Sequence, residues 1–206
     1  MRTIQSDFSY KGDRHYVHGT DVVNFLLTSC GDQVHSLHIK FLKPLTCQAY
    51  FLIDTKQIQN NIDISNACVS GYFIDKTGVT FHYALIPNTT KAIKHSYQYD
   101  ESCLTIFHTI PEGQTSLTFQ YINRFTFIEE LVAAMKHLCE HDSQADGWRL
   151  AALKLNYEHT FVPNVSYSLS ISRSISSRYR SATLTCHLSS KSCKNLGEVE
   201  FIRLKS

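Results

Sequence analysis

Two stretches decide the fold: Tyr16-Val17-His18-Gly19-Thr20-Asp21-Val22-Val23-Asn24-Phe25-Leu26 and Tyr121-Ile122-Asn123-Arg124-Phe125-Thr126-Phe127-Ile128-Glu129-Glu130-Leu131. Each reads as the aromatic–aliphatic end of a strand, a short polar elbow and then an apolar helix. A similar strand follows in both halves, Leu37-His38-Ile39-Lys40-Phe41-Leu42-Lys43-Pro44-Leu45 and Leu153-Lys154-Leu155-Asn156-Tyr157-Glu158-His159-Thr160-Phe161. Long alternating strands come next. Identities are few, and the match lies in pattern and order. A period of roughly a hundred residues is too long for a solenoid unit, so the pattern predicts two copies of one small domain.

Around these stretches the first half reads as a strand over 3–10, a turn at Lys11-Gly12-Asp13-Arg14, and a helix capped by Thr20 or Asp21 and ended by Cys30-Gly31-Asp32. That helix is apolar on nearly every side, which predicts burial. Strands are expected over 34–41, 49–56, 62–74 and 79–86, the last two joined by the hairpin turn Asp75-Lys76-Thr77-Gly78. The polar stretch 88–101 reads as a linker between a first repeat, 1–90, and a second, 101–206.

In the second half strands are expected over 103–110 and 116–122, with a turn at Pro111-Glu112-Gly113 between them. Thr126 and Glu129 have the spacing of a capping box. The two elbows lie 121 − 16 = 105 residues apart and the following strands 153 − 37 = 116, so about eleven extra residues are expected between helix and strand. From Val165 to Ser176 serines alternate with Val165, Tyr167, Leu169, Ile171 and Ile175, the period of a long strand with one buried face. Strands over 180–189 and 197–204 complete the sheet.

The bulk numbers fit such a fold and exclude several alternatives. The 206 residues are 43% hydrophobic and 18% charged, with only 8 Gly and 4 Pro, which leaves no disordered arm. A net charge of +2 without a basic run argues against a nucleic-acid partner. No apolar stretch approaches the ~18 residues a membrane span needs. Seven irregularly spaced cysteines and an N-terminus without an apolar core point to a cytoplasmic protein in a reducing compartment.

A sheet of this length, with its natural twist, can wrap an apolar helix. In the helix after the His18-Gly19 elbow and the Phe41-Leu42-Lys43-Pro44-Leu45 strand end, the chain resembles the hotdog fold. The expected class is α+β: a double hotdog of two antiparallel sheets, each wrapped around a central helix. The resemblance implies handling of acyl thioesters of coenzyme A or acyl carrier protein, by a dehydratase, hydratase or thioesterase. It implies no cofactor or metal, and a homo-oligomer is compatible with it.

The elbow is the candidate site. A glycine before a helix lets a carbonyl approach the backbone, where the first helical N–H groups can polarise it. A histidine beside it can move a proton near neutral pH. The resemblance assigns the catalytic histidine to His18, the backbone site to Gly19, and the partner acid to Glu129 or Glu130; a thioesterase subfamily suggests Asp13 instead. Tyr16, Thr20 and Asp21 complete the expected substrate-binding set. The competing readings are a His18 that only bonds backbone at a tight turn, and a Glu129 that only caps its helix. With a His at the elbow and no carboxylate from Asn24 to Leu27, dehydration or hydration is preferred over hydrolysis, and a non-catalytic acyl-carrier-binding protein is the rival. The second elbow lacks both His and Gly.

Two further patterns have competing readings. His137-Leu138-Cys139-Glu140-His141 matches a zinc-peptidase spacing but falls at a helix C-terminus, where histidines suit the dipole. Arg173, Arg178 and Arg180 with Lys40, Lys43 and Lys154 could form a basic rim for phosphates, against a solvated sheet edge.

Overall fold

The computed structural model describes residues 1–55, 64–100, 104, 108–111, 113–156, 161–189 and 192–203. The chain divides into two compact units, Met1–Asp100 and Glu101–Ser206.

In the first unit β1 (Arg2–Gln5) and β2 (Tyr10–Lys11) precede α1 (Gly19–Cys30), followed by β3 (Val34–Phe41), β4 (Cys47–Asp54), β5 (Val69–Asp75), β6 (Thr80–Ala92) and β7 (Ser96–Tyr97). Five of these strands form an antiparallel sheet in the order β1-β4-β6-β5-β3. The strand expected over 3–10 is broken after Gln5 because a buried side chain replaces the ladder. The Gln48 amide accepts from Ser6 Oγ at 3.0 Å and Phe8 N at 2.7 Å, and donates to the Phe8 carbonyl at 2.8 Å.

α1 lies against this sheet. Val22, Val23 and Leu26 are buried, and the Phe25 ring meets Phe8 and Phe51 edge-on at 5.1 and 5.8 Å. Burial of each such side chain is worth about 1.5–3 kcal/mol relative to exposure. Thr28 alone along the helix is exposed. The helix begins earlier than its sequence suggested: the N-cap is His18, in extended conformation, whose carbonyl receives the N–H of Asp21 and Val22 at 3.0 and 3.3 Å. It ends at Gly31, where φ is +65° and the N–H returns to the Leu27 carbonyl.

The segment read as a linker is largely structured. β6 continues to Ala92, paired with Cys47, and β7 returns to pair in parallel with β2. The short edge so formed carries the elbow, as shown below.

The second unit contains β8 (His108–Thr109), β9 (Ser116–Gln120), α2 (Phe127–Ser143), β10 (Trp148–Asn156), β11 (Ser166–Ser176), β12 (Tyr179–Ser189) and β13 (Ser192–Arg203). Its sheet is antiparallel in the order β10-β13-β12-β11-β9-β8. The capping box forms as its spacing predicted: Glu129 N donates to Thr126 Oγ1, and Thr126 N to the Glu129 carboxylate at 3.0 Å. Phe127 packs on Phe119 and Tyr167 from β9 and β11.

The extra residues of this half sit elsewhere than expected. The N-caps are 126 − 18 = 108 residues apart and the next strands 148 − 34 = 114, a difference of six. Five of the six lengthen the helix, which has 17 residues against 12 in α1. The regular alternation of β11 also outruns the core: Tyr167 and Leu169 are buried, while Ile175 is exposed.

Strand order differs between the units. In the first, the strand after α1 pairs with β5, and β6 lies between β5 and β4. In the second, the strand after α2 pairs with the last strand, β13, while β11 and β12 are neighbours. Connection length accounts for this. Only Ser177 and Arg178 separate β11 from β12, which forces a hairpin; residues 55–68 separate β4 from β5 and leave room for β6 to pair with β4.

Candidate active site at the first helix elbow

A lysine, not a histidine, is the centre of the elbow. Lys11 ends β2 with its side chain wholly removed from solvent. Its ammonium contacts Asp21 Oδ1 at 2.8 Å, donates to Thr20 Oγ1 at 2.9 Å and lies 4.4 Å from the centre of the Tyr99 ring. A buried ammonium requires such partners, because desolvation would otherwise expel its charge. The β2–β7 pairing holds Lys11 there, with Gly12 N bonded to the Tyr97 carbonyl at 2.8 Å and Tyr10 N to that of His95 at 2.9 Å.

His18 stands next to this cluster. Its Nδ1 is 2.7 Å from Thr20 Oγ1, its ring centre is 6.2 Å from that of Tyr99, and the side chain is half-buried. It makes no side-chain cap bond to the helix. Among the described residues none accepts the N–H of Gly19 or Thr20, the two first-turn donors that helix geometry leaves over. Asp21 would weaken the positive end of the helix dipole there, but Lys11 neutralises it.

The Phe41-Leu42-Lys43-Pro44-Leu45 segment fixes the elbow from the other side. The Leu45 carbonyl receives Val17 N at 2.8 Å, and the Thr46 carbonyl receives the Tyr10 hydroxyl at 2.7 Å. Arg14 also approaches the Tyr99 ring, at 5.7 Å.

Thus His18, Gly19, Thr20 and Asp21 are brought together, with Tyr16 half-buried in the bend preceding them. Asp13 is exposed on the turn. Glu129 and Glu130 lie in the other unit, engaged with their own elbow. Glu129 serves the capping box. Glu130, only 4% exposed, accepts the backbone N–H of Ile122 at 3.1 Å and Phe125 at 3.4 Å. Burial raises its pKa above the usual carboxylate range, partly countered by the N–H donors of Ile122, Phe125 and Arg124.

Lys11 and Tyr99 were missed by sequence reasoning. The one available signal was a lysine closing the otherwise uncharged run Phe8-Ser9-Tyr10 ahead of an elbow with an aspartate. Tyr99 gave none, since it lies in a polar stretch that reads as linker.

The other patterns resolve differently. His137 Nδ1 is 3.3 Å from His108 Nδ1 on β8, and the rings stack at 5.5 Å. His141 is exposed, and among the described residues no group of three or more His, Cys, Asp or Glu could hold a metal ion. Arg180 is no rim residue: 7% exposed, it bonds Asp142 at 2.5 Å and the Ser176 carbonyl at 2.7 Å, and lies over the Trp148 ring. No helix among the described residues is long and apolar enough to cross a membrane.

Among solved structures the chain is similar to a provisionally assigned thioesterase II from Thermobifida fusca, at 9% identity over 99% of this chain and 92% of that one, TM-score 0.55. It is similar to a provisionally assigned oleoyl thioesterase from Lactobacillus plantarum, at 11% identity over 99% and 95%, TM-score 0.52. An acyl-ACP thioesterase from Bacteroides thetaiotaomicron matches at 11% identity over 98% and 96%, TM-score 0.50. No protein-family model matches the sequence, and no curated protein matches it significantly. Likeness at these identities speaks to fold, and the fold is the hotdog fold.

Proposed function

We propose that this chain is a double-hotdog enzyme that acts on acyl thioesters, of coenzyme A or an acyl carrier protein, at the first elbow. The observation that carries the reading is the pair of N–H groups, of Gly19 and Thr20, that no described residue accepts, beside His18 at a helix start whose own aspartate is neutralised. A thioester carbonyl oxygen bound there gains negative charge as the carbonyl carbon is attacked, and donors fixed in advance stabilise that charge without reorganising.

The reaction we favour at this site is hydrolysis. Water adds to the carbonyl carbon, and the C–S bond breaks as the oxyanion collapses. The thiol leaves with one of water's protons, and the acid gives the other to solvent. Three fold neighbours with TM-scores of 0.50 to 0.55 are named as thioesterases. The dehydration preferred from the sequence asks His18 to lift a proton from the acyl chain with help from an acid, and both glutamates suggested for that role are engaged with backbone at the second elbow.

The test is a panel of acyl thioesters of differing chain length, on coenzyme A and on carrier protein, followed both for thiol release and for enoyl absorbance. Thiol release is expected, falling by about 10²–10³-fold in His18→Ala. Enoyl formation without thiol release would replace hydrolysis by dehydration. Turnover unchanged in His18→Ala would overturn the site.

A further inference from the structure

The Thr20 hydroxyl has few choices, and they fix the proton on His18. Thr20 is fully buried. A hydroxyl has one proton to give and two lone pairs to receive. One lone pair is taken by Lys11, because an ammonium only donates, and it does so at 2.9 Å. Among the described residues the one other hydrogen-bond partner of this hydroxyl is His18 Nδ1, at 2.7 Å. If Nδ1 carried a proton, the hydroxyl would accept twice and its own proton would be buried without an acceptor, the costly arrangement for a polar group. If the hydroxyl donates to Nδ1, its proton has an acceptor and both of its contacts are complementary. The ammonium also draws electron density from Oγ1 and strengthens it as a donor.

We infer that Lys11 and Thr20 are positioning residues that hold His18 as the neutral tautomer with its proton on Nε2. His18 then offers substrate a hydrogen-bond donor, not a base. Resting on the proposed function, this assigns His18 to the carbonyl oxygen, as a third donor beside the N–H groups of Gly19 and Thr20, and disfavours removal of a proton from the acyl chain. It also gives the buried ion pair a purpose: Asp21 holds the Lys11 ammonium in place, Lys11 orients the hydroxyl, and the hydroxyl orients the ring. Tyr99, which faces both Lys11 and His18, closes the cluster.

The test is nitrogen-15 NMR of the histidine side chains near neutral pH, with His18 assigned by its disappearance in His18→Gln. Nε2 protonated and Nδ1 unprotonated is the expected result. Thr20→Val should release the preference and give a mixture of tautomers, and Thr20→Ser should restore it. If thiol release is found, Thr20→Val should lower kcat about tenfold to a hundredfold with KM nearly unchanged, since orientation and not binding is lost. A proton on Nδ1 in the unaltered protein overturns the inference, whatever the activity. An Nε2 proton in a protein inactive on every thioester leaves the inference standing and removes the proposed function instead.

Discussion

The two helix starts of this chain solve one problem with opposite charges. At both, a strand end turns through a polar elbow into an apolar helix packed on an antiparallel sheet. At the first, the buried ion is a cation: Lys11, answered by Asp21 and the Thr20 hydroxyl. At the second it is a carboxylate, Glu130, answered by backbone N–H groups of Ile122 and Phe125. The second elbow is also completed by a capping box, whereas the His18 side chain makes no cap bond. One elbow spends its polar groups on its own backbone. The other keeps them pointed at a histidine. This contrast is a physical reason to look for chemistry at the first elbow and for stability at the second.

The sharpest way to break the comparison is to remove the buried cation. Lys11→Ala should cost about 3–5 kcal/mol of folding stability, since it breaks a buried ion pair by removing one partner. In urea titrations the double change Lys11→Ala with Asp21→Ala should recover part of that loss. Equal instability of single and double variants would mean that the pair is not coupled.

Next in size is acid sensitivity, which should reside in the second unit. Burial, and then the neighbouring His137, depress the His108 pKa to about 4 from its ordinary 6.5; His137 is lowered too, by burial and by His141. A depressed histidine is neutral when folded and charges more readily unfolded. Stability is therefore intact above about pH 6.5 and falls as pH drops toward about 4, by on the order of 2 kcal/mol for His108 after allowance for its partial exposure. His108→Phe should flatten that slope in denaturation curves recorded across the window. An unchanged slope would assign the sensitivity to other groups.

Glu130→Gln tests the anchor of the second elbow. The amide still accepts through one oxygen, but its NH₂ faces backbone donors, so a loss of about 1–2 kcal/mol is expected. Because the described bonds of Glu130 go to its own elbow, thiol release at 25 °C should be unaffected while the protein remains folded. Reduced activity in the folded variant would show that Glu130 serves the first elbow too.

The smallest effects concern the caps, and they should run in opposite directions. Thr126→Ala should destabilise by about 1 kcal/mol, and His18→Asn should stabilise by about 0.5–1 kcal/mol by supplying the missing cap while lowering thiol release. Thermal melts would read both. A destabilised His18→Asn would mean that the imidazole contributes to folding and not to function alone.

Period alone determined a great deal. The apolar runs after each elbow, the alternation over 34–41, the hairpin at Asp75 to Gly78 and the Thr126–Glu129 spacing all became what they spelled, because each depends on residues within one or two turns of one another. What sequence misjudged depends on partners far along the chain. The helix starts at His18 and not at Thr20 because the Thr20 hydroxyl is committed to Lys11, nine residues away. The opening strand breaks because Gln48, some forty residues on, takes its backbone groups. The stretch read as linker is drawn in because β7 pairs with β2 and carries Tyr99 over the elbow. Similar patterns likewise gave different strand orders, since a connection's length is local but the strand it lets in is not. A candidate histidine was visible in one dimension; the cation, hydroxyl and ring that decide which of its nitrogens holds the proton exist as a group only once the chain has folded.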